Sequence, residues 1–245
     1  MMKKTLFNKS ICYKDALKLI ENGADVNEKE AGTTNTPLFY VSNVKVAQLL
    51  IEHGADVNAK NQCGFTPLHF IKDLDVIKLL IKYHANVNSK DNTGRTPLHL
   101  STKKDIATAS LFIRNGADVN LRDNYGYTAL HYINDITDKK MIELFIKAGT
   151  DLNIKSNHGT VLSILNQHDY VEPSFCRLCI KNGALASDID TYQTFREYFS
   201  VDQQKAFDAF ASITSYDDDF FHMCLAYQND QKNNIKIEIK DMDIL

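Results

Sequence analysis

Three histidines, His69, His99 and His131, recur one per segment in TPLHF, TPLHL and TALHY. A column of imidazoles could hold a metal ion or pass protons. Each lies three residues after a threonine, however, where it can bond back to a helix cap or across to a neighbouring unit. That makes all three structural. Cys176-Arg177-Leu178-Cys179 has the C-x-x-C form of half a zinc site or of a redox pair. No second pair stands at ligand spacing. Aligned on Gly183, the two cysteines fall where Ala109 and Phe112 stand in an earlier unit, which are packing positions. They read as small buried hydrophobes. Asp217-Asp218-Asp219 precedes FFHMCLAY and suits the acidic first turn of a helix. It lacks spaced companion ligands. The chain has no P-loop, no GxGxxG after a strand, no GxSxG and no HExxH. The sequence therefore predicts no catalytic residue, no metal and no cofactor.

What must be positioned is a surface rather than a reacting group. The 245 residues are 44% hydrophobic and 24% charged, with a formal net charge of −3. That composition is globular and gives no bulk pull toward nucleic acid or an anionic membrane. No apolar run approaches the roughly 20 residues of a membrane span, and MMKKTLFNKSICYKDALKLI lacks the apolar core of a secretory signal. Five scattered cysteines argue against a disulfide framework and for a reducing compartment, the cytoplasm. The charge is uneven. Residues 186–245 carry 12 acidic against 5 basic side chains, net −7, which leaves the first 185 residues at net +4.

The first 185 residues repeat. The opening threonines fall at Thr36, Thr66, Thr96, Thr128 and Thr160, spaced 30, 30, 32 and 32 residues apart. A Gly-Ala-Asp-Val-Asn segment begins at Gly23, Gly54 and Gly116 and, loosened, at Gly149; His84 replaces the glycine in HANVN. From each such position to the next threonine the gap is 11 to 13 residues, whereas from each of these threonines to the next such position it grows from 18 to 23. The connecting turn is thus fixed and the helical part varies. Thr is a good N-cap, and Pro fits the first helical position, where its missing N–H costs nothing. The leucine after the proline, Leu68 in one unit, should face inward. A second helix with apolar spacing, as in VIKLLI, ends at Gly, which suits a left-handed C-cap. AKNQCG, SKDNTG and LRDNYG then return the chain to the next threonine.

These units closely resemble the ankyrin repeat. The resemblance rests on TPLH (Thr66–His69, Thr96–His99), TALH (Thr128–His131), GADVN (Gly23–Asn27, Gly54–Asn58, Gly116–Asn120) and the D-x-x-G turn (Asp91–Gly94, Asp123–Gly126). It covers roughly residues 5–185. It implies an all-α solenoid of helix–turn–helix units with protruding β-turn fingers, about six in number: 1–30 as an N-terminal cap, 31–60, 61–90, 91–122, 123–154 and 155–185. Thr5 opens a degenerate first unit, and Pro173 should begin the second helix of the sixth. It also implies a non-catalytic module that binds a partner protein through finger tips and a concave face. On this chain the tip positions are Gln62, Cys63 and Phe65; Asn92, Thr93 and Arg95; Asn124, Tyr125 and Tyr127; and Asn157 and His158. Phe65, Arg95, Tyr125 and Tyr127 should form one row, aromatics and Arg being what binding hot spots favour. Packing against neighbouring tips also accounts for Phe65 and Tyr127. Lys72, Lys103 and Lys104 end the first helices and line the palm. With Arg95 and Arg122 they suit an acidic protein partner. The resemblance further marks Asn58 and Asn120 as the best matches to asparaginyl-hydroxylation targets.

Small stand-alone proteins of this type resemble host-interaction effectors of intracellular bacteria and large viruses. The chain's Lys/Asn/Ile-rich wording fits such AT-rich sources, and an effector would act in the host cytosol. A toxin-neutralising immunity protein is the alternative within the binding class. An enzyme targeted by its array, with catalysis in residues 186–245, is the alternative outside it. We expect a monomer that binds neither nucleic acid nor membrane. Residues 186–245 read as an acidic helical cap, with a capping-box form at Ser200-Val201-Asp202-Gln203 and Phe207, Phe210 and Ile213 on one helical face. They lack the Leu-Pro opening of an F-box-like segment. Ile235, Ile237 and Ile239 alternate with charge, as an edge strand, a docking strand or a loose tail. Finally, the 30-residue period is short for the family's unit of about 33. The deficit lies between TPLH and the glycine, which predicts first helices about one turn short, and tightly connected to the second, in the first three units.

Overall fold

Each threonine of the repeat starts a very short helix. In the computed structural model, which describes residues 5–101, 106–133, 139–161, 178, 179, 182 and 184, Thr36 caps a 3-10 turn over Pro37–Tyr40 and Thr66 caps a helix over Pro67–Phe70. One turn is all these two units have, as the shortened period predicts. The same element spans Pro97–Ser101 in the next unit and is a 3-10 turn over Ala129–Tyr132 in the one after. In the first unit, Thr5 to Cys12 forms two turns and no helix, with Leu6 buried.

The second helices are uniform. They are α1 (Tyr13–Glu21), α2 (Val44–Glu52), α4 (Leu74–Lys82), α6 (Ile106–Arg114) and α7 (Lys139–Lys147); the helical first elements of the middle units are α3 (Pro67–Phe70) and α5 (Pro97–Ser101). Each second helix is nine residues long. The connectors Val41-Ser42-Asn43 and Ile71-Lys72-Asp73 explain how so little chain suffices. Asn43 ends its connector as the N-cap of α2, accepting from the N–H groups of Lys45 and Val46. Asp73 does the same for α4 through Asp75 and Val76. A side-chain cap replaces an inter-helix turn, satisfying two of the helix's orphan donors at once.

Second helices pack in order, α1 on α2, α2 on α4, α4 on α6 and α6 on α7; the first elements form a parallel row of their own. The core follows from one spacing. Val46, Ala47 and Leu50 are buried on α2, Val76, Ile77 and Leu80 on α4, Thr108, Ala109 and Phe112 on α6, and Met141, Ile142 and Phe145 on α7. Positions i, i+1 and i+4 share one helical face, so each helix offers the same stripe to its neighbours. Leu38, Leu68, Leu98 and Leu130 seal the row of first elements from water. Burying a side chain of this size contributes about 1.5–3 kcal/mol. Two compact units divide the chain, Met1–His158 and Gly159–Leu245, and the array described here is the first. Among the described residues of the second, Cys179 is buried, in keeping with a packing role. Cys176, Pro173 and the expectations for residues 186–245 lie outside the described residues.

Two positions break the repeat's own rule. After α4 the chain turns through a left-handed residue, as it does at Gly54 (φ 89°) and Gly116 (φ 86°), but here the residue is His84 (φ 63°). A β-carbon in that conformation costs roughly 1 kcal/mol. His84→Gly should therefore raise the urea midpoint, stabilising the protein by about 0.5–1 kcal/mol. The other break is at Thr36. At Thr66, Thr96 and Thr128 the hydroxyl lies 2.8–2.9 Å from the imidazole three residues on. Phe39 stands there in the second unit, and the Thr36 hydroxyl is buried with no hydrogen-bond partner. In urea unfolding, Thr36→Val should be neutral or stabilising while Thr66→Val costs about 1 kcal/mol.

Candidate protein-binding face

The imidazole that follows each threonine fixes the base of a finger. The backbone N–H of Thr66 donates to Nδ1 of His69 over 3.0 Å, so that nitrogen carries no proton. The proton is then on Nε2, which donates to the carbonyl of Arg95 in the next unit over 3.1 Å. His99 repeats the arrangement, receiving from Thr96 and donating to the Tyr127 carbonyl over 3.1 Å. His131 accepts from Thr128 in the same way. His69 and His99 thus use both ring nitrogens, Nδ1 within the unit and Nε2 to join it to the next. Among the described residues no three His, Cys, Asp or Glu side chains gather as metal ligands.

Above each imidazole the chain doubles back as a finger. Asp91 Oδ1 accepts from the N–H groups of Thr93 and Arg95, and Asp123 Oδ1 from those of Tyr125 and Tyr127. Asn61 does the same for Cys63 and Phe65. Neighbouring fingers are then tied edge to edge. The N–H of Asn92 donates to the Cys63 carbonyl over 3.0 Å, that of Asn124 to Thr93 over 2.9 Å and that of Asn157 to Tyr125 over 3.0 Å. The Asn92 and Asn124 amides reach back to the carbonyls of Gln62 and Asn92. Gly64 and Gly94 permit this closeness: a β-carbon on either would lie 2.4–2.6 Å from the next asparagine's Oδ1. Below the tips, Lys60 donates to the Lys90 carbonyl, Lys90 to that of Arg122, and Arg122 to that of Lys155.

The expected tip residues therefore divide by task. Asn92, Asn124 and Thr93 spend their side chains on the ladder, Thr93 through Asp91. Gln62, Cys63, Asn157 and His158 are exposed, and Tyr125 stands at its apex with 54% of its surface in water. Phe65 and Tyr127 sit lower and pack. Phe65 lies 5.4 Å from His69 and 5.2 Å from Phe70, which meets Phe39 at 5.7 Å. Tyr127 lies 5.5 Å from both His131 and Tyr132 and stacks on His158, whose Nδ1 is 2.5 Å from its hydroxyl. Arg95 comes between the two groups. Its guanidinium carbon is 5.8 Å from the Phe65 ring, its Nε donates to Asp91 Oδ2 over 3.0 Å, and its charge acts on Tyr132. Lys72 is exposed on the connector before α4 rather than on the first helix; Lys103 and Lys104 lie outside the described residues. Asn58 and Asn120 are inter-unit staples. Each accepts from an N–H of the next unit and donates to a carbonyl there, at His84 and Gly149 respectively.

Two aromatic residues of this face escape a reading centred on TPLH and the tips. Phe70, 45% exposed, and Tyr132 each follow the histidine directly. The signal was present: that position holds Tyr40, Phe70, Leu100 and Tyr132 in successive units.

Burial sets the charge states. It pushes His69 down to about 4, against the opposing pull of the Arg95 carbonyl and Asp91, and it lowers His99 likewise. Burial alone would raise the Asp91 carboxyl, but hydrogen bonds from Thr93 and Arg95 outweigh it and hold the group below the usual range. Burial, then the bond to Asp123, pushes the Tyr132 phenol up. The His69 and His99 imidazoles are therefore neutral acceptors at pH 7.

A row of stacked helix pairs with tied fingers defines a repeat solenoid, an architecture that presents extended faces. An ankyrin-repeat model in three copies matches residues 70–156, and a second ankyrin-repeat model matches residues 42–70. Residues 42–156 thus belong to the ankyrin-repeat family, whose repeats generally mediate protein–protein interaction. No curated protein matches the chain. Among the described residues no helix is long and apolar enough to cross a membrane.

The neutral imidazoles make stability depend on pH. In the unfolded chain His69 takes up a proton below about pH 6.5, whereas in the folded array it does so only near pH 4. Its contribution is complete above pH 6.5 and is lost as pH falls through that window. At pH 5, His69 alone should cost about 2 kcal/mol of stability. Urea midpoints at pH 7 and pH 5 test this, and His69→Gln should flatten the dependence.

Proposed function

We propose that the array binds a partner protein through the face formed by the finger tips and the first elements, and performs no catalysis there. The observation that carries this is the half-exposed strip Phe70–Phe65–Arg95, with Tyr127 and Tyr132 beyond it, where first elements meet fingers tied edge to edge. Exposed aromatic groups beside an arginine are what interface hot spots use, and a preorganised face lowers the ordering cost of binding. The net +4 charge of residues 1–185 supports an acidic partner. We take the array to have six units over residues 1–185, followed by the acidic segment 186–245, and the molecule to act as a monomer in the cytosol. The role as a host-interaction effector rests on the resemblance to small stand-alone ankyrin proteins and on the chain's Lys/Asn/Ile-rich wording.

The test is affinity purification from the native host, followed by titration of the partner so found. Arg95→Ala, Tyr125→Ala and Tyr127→Ala together should weaken binding at least tenfold, about 1.4 kcal/mol. Unchanged affinity in a folded triple variant would remove this face from consideration.

A further inference from the structure

Arg95 is held as a receptor would hold it. Its Nε is fixed by Asp91, whose side chain is 1% exposed, while 29% of the arginine side chain faces water. The Phe65 ring lies beside its guanidinium carbon. The Arg95 carbonyl is anchored from the previous unit by His69, and its N–H by Asp91. The backbone, the ring plane and one nitrogen are all fixed. Among the described residues neither terminal nitrogen of the guanidinium holds a hydrogen bond, which leaves four N–H donors in a preset fork. Such a fork matches the two oxygens of a carboxylate. In the order of the units Phe65 and Phe70 come before Arg95, and Tyr127 and Tyr132 come after it. None of the residues just before the threonines (Asn35, Phe65, Arg95, Tyr127) or just after the fourth position (Tyr40, Phe70, Leu100, Tyr132) is acidic. The exposed carboxylates instead recur in the Gly-Ala-Asp segments, at Asp25, Asp56, Asp118 and Asp151.

We propose that Arg95 is the reading head of the face and takes one side-chain carboxylate of an extended partner segment, with apolar side chains two residues to either side of it. The proposal rests on the reading of this face as the protein-binding one. The spacing follows from geometry. In an extended chain residues i−2, i and i+2 share one side, so one edge can bring a carboxylate to the fork and two apolar groups to the aromatic pairs.

The probe is the peptide Phe-Ser-Glu-Ser-Phe, capped at both ends, titrated into the full chain by NMR beside its Gln and Lys analogues. The Glu peptide should bind at least tenfold tighter than the Gln peptide, and the Lys peptide more weakly still. The Glu advantage should shrink with added salt. It should vanish in Arg95→Gln and persist in Lys78→Gln, which removes an exposed cation from α4. Because Arg95→Gln bares the Asp91 carboxyl, the Glu-against-Gln comparison on the unaltered protein decides the matter if that variant unfolds. Equal binding of the Glu and Gln peptides, with loss in Phe70→Ala, would overturn the carboxylate assignment and leave the binding face standing. No binding by any of the three also overturns it; the partner titration with the triple variant then judges the face by itself.

Discussion

The junctions between the middle units depend on an imidazole that must stay uncharged. His69 accepts at one nitrogen from its own unit and donates at the other to the next. Only the neutral ring can do both, and burial keeps it neutral. The bond anchors the end of the following finger, since its acceptor is the carbonyl of the residue just before the next threonine. From that anchor the Asp91 and Asp123 turns rise, and from those turns the edge-to-edge ladder follows. The aromatic strip exists because the anchored residue and the residue after each histidine are brought side by side. Replacing the imidazole with Phe39 in the second unit keeps the packing but strands a hydroxyl, which separates the apolar contribution of that position from its polar one.

Much of this was legible in the residues. The constant gap from glycine to threonine located the fingers, and the variable gap located the helical deficit. The left-handed turn expected at Gly54 holds even where His84 stands. What the deficit would do was legible only in part. The deficit between TPLH and the glycine predicts a tight connection, and the caps Asn43 and Asp73 supply it, since a cap with a β-region backbone is itself a turn. The strip was harder to read. Phe65 and Tyr127 were assigned to the tips by position, but ring packing draws them to the base, and only contacts between units decide that. Phe70 and Tyr132 belong to a column visible by stacking the units, and were hidden because the eye stops at the histidine.

Rigidity and recognition are linked in this architecture. A finger alone is a hairpin turn of few residues, too small to hold a shape. Tied through Cys63, Thr93 and Tyr125 carbonyls, successive fingers become one sheet-like edge of main chain, and the exposed Tyr125 ring rides on it. The side chains left for a partner are those the ladder does not consume. This is why the same finger can carry a structural task at Asn92 and leave the Arg95 fork facing water, three residues apart.

One set of the inter-unit bonds runs forward along the chain, while the finger N–H groups and amides of Asn92 and Asn124 donate backward. The imidazoles, the Lys60–Lys90–Arg122 series and the Asn58 and Asn120 amides all donate toward the unit that comes later in the chain. A unit emerging from the ribosome therefore carries its donors before their acceptors have been made. It can be completed only when the next stretch of about thirty residues arrives. For this forward set, each unit waits on its successor for acceptors. Erosion is asymmetric for the same reason. Loss of a unit from the leading end uncovers backbone groups that water can satisfy, whereas loss from the trailing end strips a buried imidazole of its acceptor.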